Sequence, residues 1–448
     1  MEFNSIQFLF LFLPAFLLVY YLVPAGIRNP VLAVGSLVFY AIGVSGRLWC
    51  LALLLGFTVL SWLAGLGIKR TSLGKPILIG SLVVLFGSLL GFKYAGLFGQ
   101  GIALPLGISF FTFQIAAYLM DLYRGRTRVQ PNLIRYGAGI LLFPKLLSGP
   151  LMEPEQLRLQ LKSRRYGLCG LDDGIREFIV GLAMKTLLAD RMGGLWTQAK
   201  TIGFGSLSAP MAWLALLAFS LQLYFDFCGY SRMAVGLGKM LGFQLPENFN
   251  YPYIAASMGD FWRRWHITLS RWFRDYIYIP LGGSRNGVGR WILSSLAVWL
   301  ATGIWHGSSF NFILWGLFQF LLIILEKVWL GKQLERHKVL AHGYMILAIL
   351  FSWLLFAVTD LGQIGVYLSR MVPFVGDRSQ GIRDFVTYGP KYLPYLLAGV
   401  VFSTPVPARL WQTVRNRGLG TVICFVLFWL SVYCLSVSVN DPFLYFSF

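Results

Sequence analysis

Two histidines carry the chemistry this chain has to offer. His306 stands in Trp305-His306-Gly307 within the apolar run Trp291 to Leu325, and His266 lies in the aromatic and basic stretch Asp260-Phe-Trp-Arg-Arg-Trp-His266-Ile-Thr-Leu-Ser270. Only four histidines occur in 448 residues. An ionisable group in hydrocarbon costs several kcal/mol, so a histidine placed there is a functional candidate by default. A neutral imidazole suits general-base work near neutral pH, because it can take the proton of a hydroxyl as that oxygen attacks an acyl carbon. The alternative, an imidazole bonded to a neighbouring helix for structural reasons, stays open at this point. No Gly-x-Ser-x-Gly elbow is present, so an acyl-enzyme on serine is not indicated. The histidines form no HExxH or other metal pattern. His337 and His342, set among Glu335, Arg336 and Lys338, read as solvated or interfacial.

The elements that must position these residues are membrane helices. Hydrophobic residues make up 57% of the chain, charged ones 12%, and mean hydropathy is +0.66, which excludes a water-soluble globule. The expected fold class is all-α: a polytopic integral membrane protein, a single domain over residues 1–448, with about 11 transmembrane helices plus re-entrant or short ones. The N-terminal run lacks a basic n-region and reads as a retained first helix. Five cysteines are scattered without metal-type spacing and indicate neither a disulfide framework nor a zinc site. The net charge of +20 resides in short basic loops, which is the positive-inside pattern and speaks for lipid headgroups rather than nucleic acid as the bulk partner. Lys69, Arg70 and Lys75, then Arg124, Arg126 and Arg128, then Lys162, Arg164 and Arg165, then Arg409, Arg415 and Arg417 are expected to face the cytoplasm. One helix, Thr421 to Val439, follows the last set, so the C-terminus is expected on the extracytoplasmic face.

No period of 20 to 50 residues repeats. Helix breakers such as Pro105, Gly107, Pro144, Gly149 and Pro150 are tolerated at membrane depth only against protein or a watery cavity, so a polar cavity or tunnel is expected. The polar interval Gln244 to Gly289 follows a chain break at Pro246-Glu-Asn-Phe-Asn-Tyr-Pro252. Ser257 is a candidate N-cap and Asp260 a first-turn acid. On one continuous helix, Asp260, Arg264, Arg271 and Asp275 would form a stripe of alternating charge, with Trp262, His266, Leu269 and Phe273 on the other face. Pro280-Leu-Gly-Gly-Ser-Arg-Asn-Gly287 reads as a plain turn-rich loop, since its spacing fits no P-loop.

Three stretches, Asn248-Phe-Asn-Tyr-Pro-Tyr253, Asp260 through Arg285, and Gly303-Ile-Trp-His-Gly307, resemble the membrane-bound O-acyltransferase family, and within it the bacterial branch that O-acetylates alginate and other exopolysaccharides. Phe8 to Pro14, Phe110 to Tyr118, Asp121 to Gly125, Phe143 to Pro150 and Tyr224 to Ser231 extend the likeness along the whole chain. The resemblance implies a multi-pass protein of the bacterial inner membrane, with helices around a tunnel. Acyl-CoA, with acetyl as the expected acyl group, enters from the cytoplasm as donor substrate, and no cofactor is needed. His306 takes the place of the family's base and His266 that of its supporting histidine. The candidate substrate contacts are Arg263, which would meet the CoA phosphates or else serve a helix end or lipid headgroups, and Trp305 and Asn311, on either side of His306 in the sequence. The implied partners are an extracytoplasmic SGNH-type acetyltransferase and a polysaccharide synthesis and export complex.

The tail Asp441-Pro-Phe-Leu-Tyr445-Phe-Ser-Phe448 is either an interfacial aromatic anchor or, as its Phe-x-Tyr-x-x-Phe ending resembles the family's C-terminal motif, a relay in which Tyr445 accepts the acyl group. A non-catalytic channel, transporter or export scaffold would explain the breaks and the basic loops but not the two histidine motifs.

Overall fold

The long apolar runs become helices because hydrocarbon offers no partner for backbone N–H and C=O groups, and a helix satisfies them within one segment. The computed structural model describes residues 1–99, 103–164, 166–372 and 381–437, and the regular elements among them are all helical. Among the described residues, eight helices are long and apolar enough to cross a membrane, or nine if Arg383–Phe402 and Val406–Val414, bent by 76°, make one span. Phe8–Leu22 and Ile108–Tyr123 are shorter apolar helices, and Arg383–Phe402 leads into that bend, where Pro405 takes the N-cap position of the following helix. Contacts gather the chain into two units, one holding Met1–Gly181 and Tyr230–Glu247, the other Leu182–Gly229 and Asn248–Cys434.

In the first unit, the opening Phe8–Phe12 turn and the Phe143–Leu146 helix share one aromatic cluster. The Phe143 ring stands 5.3 to 5.7 Å from those of Phe39, Phe16 and Phe12, and its N–H donates to Ser36 Oγ at 3.2 Å. Phe8-Leu-Phe-Leu-Phe and Phe143-Pro-Lys-Leu are thus two halves of one packing solution.

The second unit holds both histidines. Its elements in chain order are α1 (Ala209–Met240, of which the part up to Gly229 belongs here), α2 (Met258–Arg264), α3 (Ile267–Phe273), α4 (Val288–His306), α5 (Phe310–Leu325) and α6 (Lys338–Ala357). The stretch from Asp260 to Asp275 is not the continuous helix its spacing suggests. Trp265 is extended and His266 is left-handed, φ 42° and ψ 52°, so the helix breaks between α2 and α3. The break is held by a crossing segment: Asn250 N–H donates to Arg264 O and Ile267 N–H donates to Asn248 O, both at 2.9 Å. The charged stripe is cut accordingly. Asp260 pairs with Arg264 at 2.8 Å and Arg263 at 3.5 Å, while Asp275 meets Arg274 at 2.7 Å. Ser257 caps α2 as expected, accepting from Asp260 N–H at 3.1 Å. Glu326 adds a second cap from the end of α5, accepting from the N–H groups of Met258 and Gly259 at 2.6 and 3.3 Å.

A buried ion triad ties α1 to the segment before it. Lys185 Nζ lies 2.7 Å from Asp226 Oδ1 and 2.8 Å from Asp190 Oδ1, with Lys185 and Asp226 nearly sealed from solvent. Breaking one member strands charge in the interior, which costs about 3–5 kcal/mol. Lys185→Met is therefore expected to lower the thermal unfolding midpoint in detergent, and Lys185→Met with Asp226→Leu to recover much of the loss. An unchanged midpoint in the single variant would show that the triad does not lock the unit.

Candidate active site

His306 is the last residue of α4, and the chain turns at once into α5. The two helices pack closely because small residues let their backbones approach: a Cβ on Gly303 would sit 2.6 Å from Phe312 O, and one on Gly316 would sit 2.5 Å from Trp299 O. Gly307 has an extended backbone that any residue could adopt, so its requirement is space. A Cβ there would lie 2.7 Å from the Phe312 ring, and that ring is stacked against His306.

Aromatic rings enclose the His306 imidazole. Trp315 and Phe356 meet it edge-on at 5.0 and 4.9 Å, Phe312 is stacked at 6.0 Å, and Trp305 is tilted at 4.6 Å. The imidazole and Trp305 are each 6% exposed. Polar groups behind the rings fix the enclosure. Trp315 Nε1 donates to Ser352 Oγ at 3.0 Å, Gln319 Nε2 donates to the same oxygen, and Gln319 Oε1 accepts from Trp262 Nε1 at 3.2 Å. Buried indole N–H groups need such partners, and here they lock α2, α5 and α6 around one ring.

His266, at the α2–α3 break, is 2% exposed. The Phe227 ring of α1 meets it edge-on at 4.7 Å, and its Nδ1 lies 3.1 Å from Asn248 Oδ1. Burial pushes its imidazole down from the ordinary value, to about 3, which favours the neutral ring. The aromatic surroundings expected for His266 are present, but the backbone break produces them rather than a helix face. A path of ring contacts leads from Trp265, the residue before His266, to His306: Trp265 lies tilted 4.9 Å from Trp353, Trp353 is stacked 6.4 Å from Trp315, and Trp315 meets His306 edge-on.

The other candidates fall in three places. Arg263 is at the end of α2, 71% exposed and within reach of Asp260, where a guanidinium remains accessible to an anionic ligand. Asn311 is fully buried, and its Nδ2 donates to the carbonyls of Leu355 and Phe356 at 2.9 and 3.3 Å. It thereby satisfies the last turn of α6 and anchors Phe356 against His306. Its Oδ1 has no partner among the described residues. Tyr445 lies outside the described residues. His337 and His342 are exposed, His342 with one ring nitrogen 3.3 Å from Ala255 O. Sequence reasoning passed over Gln319, Ser352, Glu326 and the Lys185–Asp190–Asp226 triad. The signal was available for several of them: a lone Gln, Asp or Glu inside an apolar run must be paired or functional.

Comparison with known proteins gives this geometry a context. The model of the membrane-bound O-acyltransferase family matches residues 125–356, a span that contains both His266 and His306. The chain is 34% identical to the probable alginate O-acetylase AlgI of Pseudomonas putida over the full length of both. It is 33% identical to the peptidoglycan O-acetyltransferase of Helicobacter pylori, over all of this chain and 97% of that one. A shorter match, 31% identical over 49% of this chain and 58% of the other, is to the teichoic acid D-alanyltransferase of Bacillus subtilis. With a family match over more than half its length and full-length relatives, this chain belongs to the membrane-bound O-acyltransferase family and is a multi-pass membrane O-acyltransferase.

Proposed function

We propose that the protein moves an acetyl group from cytoplasmic acetyl-CoA across the bacterial inner membrane for O-acetylation of an exported polysaccharide. The observation that supports this reading most is the aromatic enclosure of His306, which sets one imidazole at a fixed helix end among four rings. His306 is the general base. A ring nitrogen takes the proton of a hydroxyl as the oxygen attacks the thioester carbonyl, the tetrahedral adduct collapses, and the CoA sulfur leaves and takes up the proton to give free CoA. His266 supports the step, and Arg263 contributes to holding the CoA phosphates. The acyl group crosses through a tunnel while CoA remains on its own side. The names of the full-length relatives, an alginate O-acetylase and a peptidoglycan O-acetyltransferase, favour acetyl as the group and a glycan hydroxyl as its destination.

The hydroxyl that reaches His306 is assigned to Tyr445, on an extracytoplasmic C-terminus. The phenol oxygen attacks the thioester and forms an aryl ester, and an SGNH-type transferase outside the membrane passes the acyl group to the sugar and restores the phenol. An aryl ester suits a relay because a phenolate leaves more readily than an alkoxide.

Membranes carrying His306→Ala, supplied with acetyl-CoA and the partner transferase, are expected to acetylate an alginate oligosaccharide about 10²–10⁴-fold more slowly, the size of a general-base contribution. A wild-type rate would remove His306 from the chemistry. Mass spectrometry of the C-terminal peptide after brief exposure to acetyl-CoA should find an acetyl ester on Tyr445 that Tyr445→Phe lacks. Full polymer acetylation by Tyr445→Phe would reduce the tail to an anchor.

A further inference from the structure

We propose that Asn248 is a positioning residue that fixes the tautomer of His266, with the proton on Nδ1 and the lone pair on Nε2. Asn248 Oδ1 accepts from the main-chain N–H of Thr268 at 3.2 Å and from Thr268 Oγ1 at 2.9 Å. A main-chain N–H only donates, so the amide atom facing Thr268 is the oxygen, and the orientation of Asn248 is not open to reversal. His266 Nδ1 lies 3.1 Å from that same oxygen. An amide oxygen carries no proton, so this contact is a hydrogen bond only when Nδ1 does. Neutral imidazole has a single N–H, and the other nitrogen, Nε2, is left as acceptor or base.

The surrounding backbone shows why this lock is needed. His266 is left-handed, a conformation that is strained for a non-glycine residue and concentrates at functional sites. As the N-cap residue of α3 it gives no side-chain cap of its own. Asn248 supplies the missing cap through Thr268 N–H and straps the break through its own carbonyl to Ile267 N–H. All the groups involved are sealed from solvent: Asn248 and His266 are 2% exposed and Thr268 4%. The consequence for mechanism rests on the reading of His266 as part of the reaction site. His266 then works by accepting, at Nε2, a hydrogen bond or proton from the reacting group or from a water held there. It is not a donor to a developing oxyanion.

The test is nitrogen NMR of full-length protein labelled at histidine and reconstituted in lipid, with the His266 signals assigned by their loss in His266→Gln. The expected spectrum has Nδ1 protonated and Nε2 bare, unchanged at Nδ1 in Asn248→Asp, which keeps an acceptor in place. Asn248→Leu is expected to shift the proton toward Nε2 and to lower kcat for acetyl transfer about 10-fold, the size of one lost hydrogen bond, with KM for acetyl-CoA little changed. A wild-type His266 protonated at Nε2 alone would overturn the proposal, even if Asn248→Leu fails to fold. A fully active His266→Ala would instead overturn the place of His266 in the reaction and leave the tautomer standing.

Discussion

A polar ring can be held in an apolar interior only if the groups around it are themselves satisfied, and at His306 that condition falls on the Trp315 indole. Trp315 covers the imidazole edge-on, and its N–H must find an acceptor or lose a hydrogen bond in a medium where none can be replaced. Ser352 supplies the acceptor, Gln319 donates to Ser352, and Trp262 donates to Gln319. One donor in need of a partner thus recruits α6, α5 and α2 in turn, and the rings around the imidazole are held by that chain of bonds. Asn311 extends it by tying the end of α6, and so Phe356, to the start of α5.

The second histidine is held by a different device. Its backbone sits where few side chains are comfortable, and the 248–250 segment over-determines the break with hydrogen bonds on both sides of it. In the proposed mechanism, the two histidines divide the work between a base fixed by rings and an acceptor fixed by an amide. A path of ring contacts runs from Trp265, next to the second histidine in the chain, through Trp353 and Trp315 to His306.

Much of this was legible in the sequence, and the remainder was hidden for definite reasons. Apolar runs announce membrane helices through their length, and an imidazole inside one announces itself through its cost. Ser257 was legible as a cap because capping is local, three residues from Asp260 N–H. The break at His266 was not, since a periodicity of 3.6 carries no mark of a residue with positive φ when that residue is not glycine. Glu326 capping α2 joins residues 67 and 68 apart in sequence, and the Gln319–Ser352 bond spans 33. Such pairings are visible only once the helices are packed. Trp-His-Gly was read for its histidine and its tryptophan, whereas its glycine answers to the Phe312 ring that arrives from the next helix.

The central claim is that the acyl group crosses the membrane at His306 while CoA does not, and proteoliposomes test it most directly. Labelled acetyl-CoA is confined to the cytoplasmic side, with the partner transferase and an alginate oligosaccharide on the other. The account predicts labelled ester on the far side, an equal amount of free CoA on the near side, and neither in vesicles carrying His306→Ala. Ester that forms only when acetyl-CoA shares a compartment with the acceptor would contradict it.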